Sequence, residues 1–388
     1  MKREIFRIGR SIKAAPVTAA TFLFSTIYYD RVLSRKRRVW DGAQSWSDRV
    51  AVYVIYPSDG LLATHLTTLR HVAASGYATV VVSNLPLSDS DRQQVLDLCV
   101  SYIERPNFGY DFGAYRDGVL SVSDRFADLT RLALLNDSAW YPLPDKRNWL
   151  HAAEEMGHDL VGATSNYGTP RHDIADFMDI EWSYSVDHRN FHYGSFALSF
   201  GPKILKDPAF FSFWKRMRLD NNKKRVVRRG EIAMSQWVVQ RGYTHQCIFD
   251  PATLETALDA LSDDRLAELT NDIILPEHFR AIDAKHKVLE ISPTDPERRT
   301  VFTKFILTCT SLQGASYALP DLTILEKDYP FLKKSPLRLS KDGADTTLRI
   351  LAKMSGPDID DIVAEAKAIY NPRAAPPPKM TGPPKKGG

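Results

Sequence analysis

Arg105-Pro106-Asn107-Phe108-Gly109-Tyr110-Asp111-Phe112-Gly113-Ala114-Tyr115-Arg116-Asp117-Gly118 is a glycine-punctuated turn, and the apolar run Leu132-Ala133-Leu134-Leu135 that follows it ends on Asn136-Asp137-Ser138. The run has the length and composition of a strand buried on both faces. Its carboxyl end is where open α/β sheets place their ligands. Glycines in the preceding turn allow tight backbone geometry and let amide groups approach an anion. An aspartate closing a hydrophobic strand is a suitable ligand for a divalent cation bridging two phosphates.

Outward from this stretch the same alternation repeats. Val50–Tyr56 reads as a first strand, ending in the turn Pro57-Ser58-Asp59-Gly60. A helix over Leu61–Ala74 is closed by Gly76. The β-branched run Tyr77–Ser83, a helix over Ser90–Cys99 and a short strand Tyr102-Ile103 lead into the glycine turn. This order predicts an α/β fold: a doubly wound, mostly parallel sheet with helices on both faces. Further strands are expected at Asp159–Ala163, Gly194–Phe200 and Tyr243–Phe249, with helices at Trp149–Met156, Phe210–Met217 and Glu231–Gln240. Beyond about residue 260, leucines at helical spacing predict a C-terminal helical appendage. The expected organisation is an N-terminal arm over 1–40, the sheet domain over 45–260, the appendage over 261–371 and a disordered tail over 372–388, rich in proline, glycine and lysine.

The chain has 388 residues, 44% apolar and 25% charged, as ordinary globular proteins are. Its net charge of +4 conceals an asymmetry. Residues 1–40 carry a net +8 and residues 372–388 a net +4, leaving −8 for the body between them. An acidic body with basic ends argues against nucleic acid as a partner. Only Cys99, Cys247 and Cys309 occur, too few and too widely spaced for a disulfide framework or a cysteine zinc site, which suits a reducing compartment. The apolar stretch Ala14–Tyr29 is too polar and too short to span a membrane, and no signal-peptide cleavage site follows it. Its aromatics Phe22, Phe24, Tyr28 and Tyr29 lie beside Arg31, Arg35, Lys36, Arg37 and Arg38. Two readings stand for this arm: an amphipathic segment lying on an anionic membrane surface, or a helix packing its aromatics on the body.

The motifs taken together are specific. Asn107-x-Gly109-Tyr110-Asp111-Phe112-Gly113-Ala114-Tyr115-Arg116-Asp117-Gly118, then Leu134-Leu135-Asn136-Asp137-Ser138, then His192-x-x-Ser195-Phe196 with Gly230-Glu231 downstream, resembles the rhamnan synthesis protein F family over roughly residues 50–250. Members are glycosyltransferases that extend bacterial surface polysaccharides, notably with rhamnose. The resemblance implies a GT-A-like sheet and a nucleotide-activated sugar donor.

Against that background each candidate has two readings. Asn107, Gly109 and Gly113 can shape a loop over the nucleotide, with Asp59, Asp111, Arg116 and Asn136 contacting base, ribose or phosphate; otherwise the glycines only pack a strand-to-helix turn. Asp137 is the metal-ligand candidate, although GT-A enzymes usually present Asp-x-Asp and this chain has Asn136 and Ser138 on either side. The competing reading makes Asn136-Asp137-Ser138 a helix N-cap. His192 and Ser195 either touch sugar hydroxyls or the acceptor, or belong to the core. Glu231, expected to open a helix, is the candidate general base, with Asp187 next; the alternative is a carboxylate merely complementing a helix dipole. Arg228 and Arg229 belong to a basic cluster that either neutralises a diphosphate or is a solvated loop.

The sequence therefore predicts an inverting glycosyltransferase that moves rhamnose or another deoxyhexose from a nucleotide-diphosphate sugar donor to a lipid-linked glycan acceptor. A divalent cation, Mg or Mn, is expected to assist, and the protein to sit peripherally on the cytoplasmic face of the inner membrane. The rival readings are a non-catalytic nucleotide-sugar or glycan-binding module and a membrane-recruited scaffold of a polysaccharide assembly complex.

Overall fold

The computed structural model describes residues 24–275 and 279–370. The start of the basic arm and the tail after Tyr370 lie outside the described residues. The chain forms two compact units, Met1–Asp137 with Ser199–Tyr243, and Ser138–Leu198 with Thr244–Gly388. Three crossings of the chain create this division, one of them inside a strand.

In the first unit, a helical segment α1 covers residues 24–28 and continues as a wide π-turn, Tyr29–Leu33, and a tight turn, Ser34–Lys36. Strands β1 (Arg38–Asp41), β2 (Arg49–Ile55), β3 (Ala78–Ser83), β4 (Ser101–Glu104) and β5 (Arg131–Asn136) line up in the order β1-β4-β3-β2-β5. All neighbours run parallel except β1, which is antiparallel to β4 at the edge. β3 and β5 are buried along their whole length and β2 at all but its first residue, as their β-branched and leucine-rich runs demand.

The connections explain where the helices lie. From β2 through α2 (Ala63–Ala74) to β3 and through α3 (Asp89–Leu96) to β4 the chain steps outward. From β4 through α4 (Tyr110–Ser121) to β5 it returns past two strands. Right-handed crossovers then put α2 and α3 on one face and α4 on the other. α4 lies directly on β2 and β3: a Cβ at Gly118 would meet a Val52 methyl at 2.4 Å. The reversal of direction between β2 and β5 is a topological switch point, and it falls at the strand that ends in Asp137.

The unit closes with the short helix α6 (Pro202–Leu205), α7 (Pro208–Arg216), α8 (Lys223–Val227) and α9 (Ala233–Gln240). Asp207 caps α7 by accepting from the Ala209 amide, with Pro208 at the first helical position. Between α8 and α9 the helix does not stop. A π-turn, Arg228–Ile232, carries it through.

Of the two readings of the basic arm, packing on the body holds for residues 24–41. β1 is in the sheet, and Tyr29 is fully buried in an ionic network. The Arg105 guanidinium donates to Asp117 (2.7 Å), to the Tyr29 hydroxyl (3.1 Å), to Asn84 (2.5 Å) and to the Phe108 carbonyl (2.7 Å). The Tyr29 hydroxyl in turn donates to Asp117. Among the large apolar side chains of this segment, Phe24, Ile27 and Tyr28 on the outward face of α1, Val32 in the π-turn and Val39 in β1 stay exposed.

The second unit contains β6 (Ala139–Trp140), β7 (Leu160–Asn166), β8 (His192–Tyr193), β10 (His245–Phe249) and β11 (Leu332–Lys333); β9 (Ala197–Phe200) contains the unit boundary. β7 pairs parallel with β10 and antiparallel with β8, and β6 pairs antiparallel with β11. Of the expected strand over Gly194–Phe200, residues 197–200 form β9, while 194–196 are the turn that separates it from β8. Apart from α5 (Trp149–Glu155), the helices of this unit follow residue 250: α10 (Leu254–Asp259), α11 (Asp263–Asp272), α12 (Phe279–Leu289), α13 (Arg298–Gln313), α14 (Ala315–Ala318), α15 (Pro336–Leu339), α16 (Lys341–Ala352) and α17 (Ile359–Ile369). α13 is the hub, burying Phe302, Phe305, Ile306 and Leu307 and touching α10, α11 and α12. The three cysteines are buried and unpaired.

Candidate active site

Asp137 follows the last residue of β5, and its amide donates to the Val54 carbonyl at 3.1 Å, continuing the β2–β5 register by one step. Its carboxylate is held from the other side of the switch point. The Tyr56 amide, just past β2, donates to Oδ2 at 2.6 Å. His65 Nε2 lies 3.3 Å from the same oxygen. The tautomer follows from local geometry: the Leu62 amide donates to His65 Nδ1 at 3.2 Å, so the ring proton sits on Nε2 and faces Asp137. His65 is almost wholly buried in the first turn of α2, where its ring satisfies a backbone amide that the helix start leaves without a partner. No helix follows Asn136-Asp137-Ser138; the chain turns straight into β6, so the N-cap reading does not hold.

Asp111 and Tyr115 come from the first turns of α4. Gly109, at φ +83°, precedes that helix, and the Asn221 side chain accepts from its amide at 2.8 Å. Gly113 is packed against the Phe108 carbonyl, which a Cβ would approach to 2.2 Å. Both glycines therefore serve the close fit of the turn. Asn136 donates to Asp111 at 3.3 Å across the gap between β5 and α4. Tyr115 is completely buried, and its phenol is pushed well above its ordinary range. Burial is the main cause, followed by the Asp111 charge; a hydrogen bond with Asn136 works against them, and Asp137 and Glu231 add to the rise. Three carboxylates, Asp111, Asp137 and Glu231, thus act on one buried hydroxyl at the carboxyl ends of the strands.

Glu231 reaches this place by a route the sequence did not suggest. It does not open a helix; it lies inside the π-turn of a continuous helix, so dipole complementation at an N-terminus cannot account for it. The turn presses on α4 through Gly230, where a Cβ would stand 2.3 Å from the Phe112 ring. Phe112 stacks on Trp214 behind it. Gly230 thereby brings the turn that bears Glu231 up against the helix that bears Asp111 and Tyr115.

Other predicted residues lie elsewhere. Arg116 is a correction: it is buried and committed to the fold, donating to Asp30 at 2.6 Å and to the Trp214 and Lys215 carbonyls. The guanidinium braces the π-turn after α1 against α7. Asn107 is exposed on the loop before α4. Asp59 is exposed in the turn after β2, where the Ser58 hydroxyl donates to it at 2.9 Å. Arg228 and Arg229 sit on the π-turn, Arg229 within 3.8 Å of buried Asp220. Asp187, His192 and Ser195 belong to the second unit. Asp187 is exposed and bonded to Ser185. His192 is buried; its Nδ1 donates to the Asn190 carbonyl at 2.7 Å beside the Tyr167 ring. Ser195 is half-buried in the turn before β9.

Sequence reasoning missed His65, Tyr115 and the Arg105–Asp117–Tyr29 network. Arg105, Tyr115 and Asp117 were inside the motif, but only the fold shows that their side chains point inward. Among the described residues, no three His, Cys, Asp or Glu side chains converge as a metal centre. Asp137, with one oxygen already accepting two N–H groups, does not make one alone.

The polar cluster at the switch point lies at the carboxyl edge of the strands, the place where open α/β sheets put their ligands. The chain belongs to the rhamnan synthesis protein F family: that family's model matches residues 79–289, just over half of the chain. It is 31% identical over 249 residues to the uncharacterized protein y4gN of Sinorhizobium fredii, covering 64% of this chain and 61% of the relative's length. Solved structures with partial likeness include core-mannan synthase A from Aspergillus fumigatus in a Mn/GDP form, at 8% identity over 46% of this chain and 68% of that one, with a TM-score of 0.26. Staphylococcus aureus TarS matches at 10% identity over 84% of this chain and 54% of that one, with a TM-score of 0.25. These likenesses are too distant to carry chemistry across. The family's own description is rhamnan synthesis.

Proposed function

We propose that the chain is a nucleotide-sugar-dependent, inverting glycosyltransferase that adds a deoxyhexose, rhamnose first among candidates, to a lipid-linked bacterial polysaccharide at an anionic membrane surface. The observation that carries this reading is Asp137 at the end of β5, held by the Tyr56 amide and His65, with Asn136 joining it to Asp111 on α4. In this reading Glu231 takes the proton of the acceptor hydroxyl as that oxygen attacks the anomeric carbon. The bond from that carbon to the donor's phosphate oxygen breaks on the opposite side, and the nucleoside diphosphate leaves with the electron pair. Attack from the far face inverts the configuration, so a β-linked donor gives an α-linkage.

Asp137 is proposed to anchor the donor side of the site, its orientation fixed by the Tyr56 amide and His65. A divalent cation, Mg or Mn, enters only as a companion of the donor diphosphate, with Asp137 as its protein carboxylate. His192 and Ser195 remain candidates for acceptor contact, and Asp187 the alternative base. Membrane association is proposed to run through the exposed face of α1 and the basic residues that follow it.

A thermal-shift series with nucleoside diphosphates, with and without manganese, tests the reading. A matching diphosphate at a hundredfold excess over its dissociation constant should stabilise the protein by about 2.7 kcal/mol. Asp137→Ala should lose most of that gain, and equal shifts in the two proteins would rule Asp137 out as the anchor.

A further inference from the structure

The helix that carries Glu231 has a second functional face. While Gly230 and Glu231 turn toward α4, Arg225, Arg228, Arg229, Ala233 and Trp237 recur at helical spacing along a cavity of about 810 Å³ within the first unit. Its other wall is α7 and the segment after it, with Phe213, Arg216, Met217 and Arg218, and Arg241 closes one end. Six guanidinium groups thus surround an apolar floor. Two carboxylates answer them: Asp220 accepts from Arg225 at 2.8 Å, and Asp207 from Arg241 at 2.9 Å. Burial, opposed by Asp220, holds the Arg229 guanidinium below its ordinary value, and the charges of Arg218 and Arg225 add to the effect. Arginine rather than lysine suits this place, because its planar fork pairs with two phosphate oxygens at once. The volume is that of a small-molecule site rather than of a nucleic-acid track.

What lies beside the groove decides among its ligands. α1 is fixed to the groove's own wall: Ser25 donates to the Leu219 carbonyl at 2.6 Å and the Leu219 amide donates to Thr26 at 2.9 Å. Arg116, held by Asp30, bonds the carbonyls of Trp214 and Lys215 just before Arg216. On the outward side of α1, Phe24, Ile27 and Tyr28 are 46 to 59% exposed. Spaced three and four residues from Phe24, Ile27 and Tyr28 share its side of the helix and form one ridge. An apolar ridge attached to a cationic groove with an apolar floor is complementary to an amphiphile bearing phosphate.

We infer that this groove binds the phosphate headgroup of an anionic membrane lipid while the α1 ridge enters the acyl boundary. The inference rests on the membrane-associated reading above and gives it a specific body site, separate from the face that presents Glu231. It makes the body, not the arm's charge alone, the source of lipid selectivity.

The test is flotation of the full chain with phosphatidylglycerol vesicles and with phosphatidylcholine vesicles. Wild type should float with the first and not the second. Arg216→Ser with Arg228→Ser should lower the partition coefficient about thirtyfold, on roughly fivefold for each basic residue near an anionic surface. Arg70→Ser with Lys206→Ser removes the same charge from exposed positions outside the groove and should retain most of the binding. Phe24→Ser with Ile27→Ser should abolish the part of binding that survives 1 M salt, where the Debye length is about 3 Å. If wild type fails to float, the membrane reading falls and the groove's role with it. If wild type floats and the two double-arginine and control variants float alike, the groove inference alone is overturned. Displacement of wild type from vesicles by a soluble nucleoside diphosphate, absent in the arginine variant, would assign the groove to nucleotide and also overturn it.

Discussion

Tyr29→Phe isolates one hydroxyl at the point where the basic arm becomes part of the fold. That hydroxyl donates to the Asp117 carboxylate and accepts from Arg105 Nε at 3.1 Å, and all three side chains are buried. Hydrogen bonds to charged groups contribute about 1.5–3 kcal/mol each. The Arg105–Asp117 pair, at 2.7 Å, survives the substitution and retains part of the network's energy. The expected loss is therefore about 2 kcal/mol, a large share of the 5–15 kcal/mol typical of a folded protein. Urea unfolding at pH 7, compared by midpoint at a common slope, measures it. The same comparison has a pH signature. Burial, partly offset by the Arg105 charge and reinforced by Asp117, raises the Tyr29 phenol above its ordinary value near 10. A group whose pKa is raised by folding gives stability that is complete below the unfolded pKa and is lost as pH climbs toward the folded value. The difference between wild type and Tyr29→Phe should thus be constant from pH 7 to 9 and shrink above pH 10. A difference under about 0.5 kcal/mol at pH 7, the range of ordinary surface changes, would mean that residues 24–41 are a detachable arm and that the network does not tie them down.

Glu231→Gln should keep donor-induced stabilisation and lose transfer by about 10²–10⁴-fold, the usual range for a general base; normal turnover in that variant together with loss in Asp187→Asn would move the base to the second unit. Gly230→Ala should cost about 1–3 kcal/mol by overpacking against Phe112, and Phe112→Leu should relieve part of that cost when the two are combined; additive losses in the double variant would show that the π-turn is not seated on that ring.

The parallel core was legible because its signal is local. The runs Val50–Ile55, Tyr77–Ser83 and Leu132–Leu135 are buried on both faces in the fold, and no other structure suits such unbroken apolar stretches between glycine turns. The edge strand β1 was not legible. Its sequence, Arg-Val-Trp-Asp, is short and mostly exposed, and what fixes it is the register Val39 to Ile103 and Trp40 to Tyr102 on a strand sixty residues away. β6 and β11 are two-residue strands paired across almost two hundred residues, which no window of sequence can reveal. Arg116 shows a different limit. In the motif it resembles an anion ligand, yet only tertiary contact reveals that Asp30 and two carbonyls consume its donors.

Glu231 carries the last step. Its neighbours Arg228, Arg229 and Gly230 look like one basic loop in the sequence, and a loop would leave all four pointing to water. A π-turn instead keeps them in one helix with an extra residue per turn, which rotates successive side chains off the regular helical stripe. Gly230 then fits under Phe112 while Arg228 and Arg229 line the opposite cavity. One irregular turn therefore carries both Glu231 and two arginines of the cavity wall on a single helix, whose width is about 10 Å.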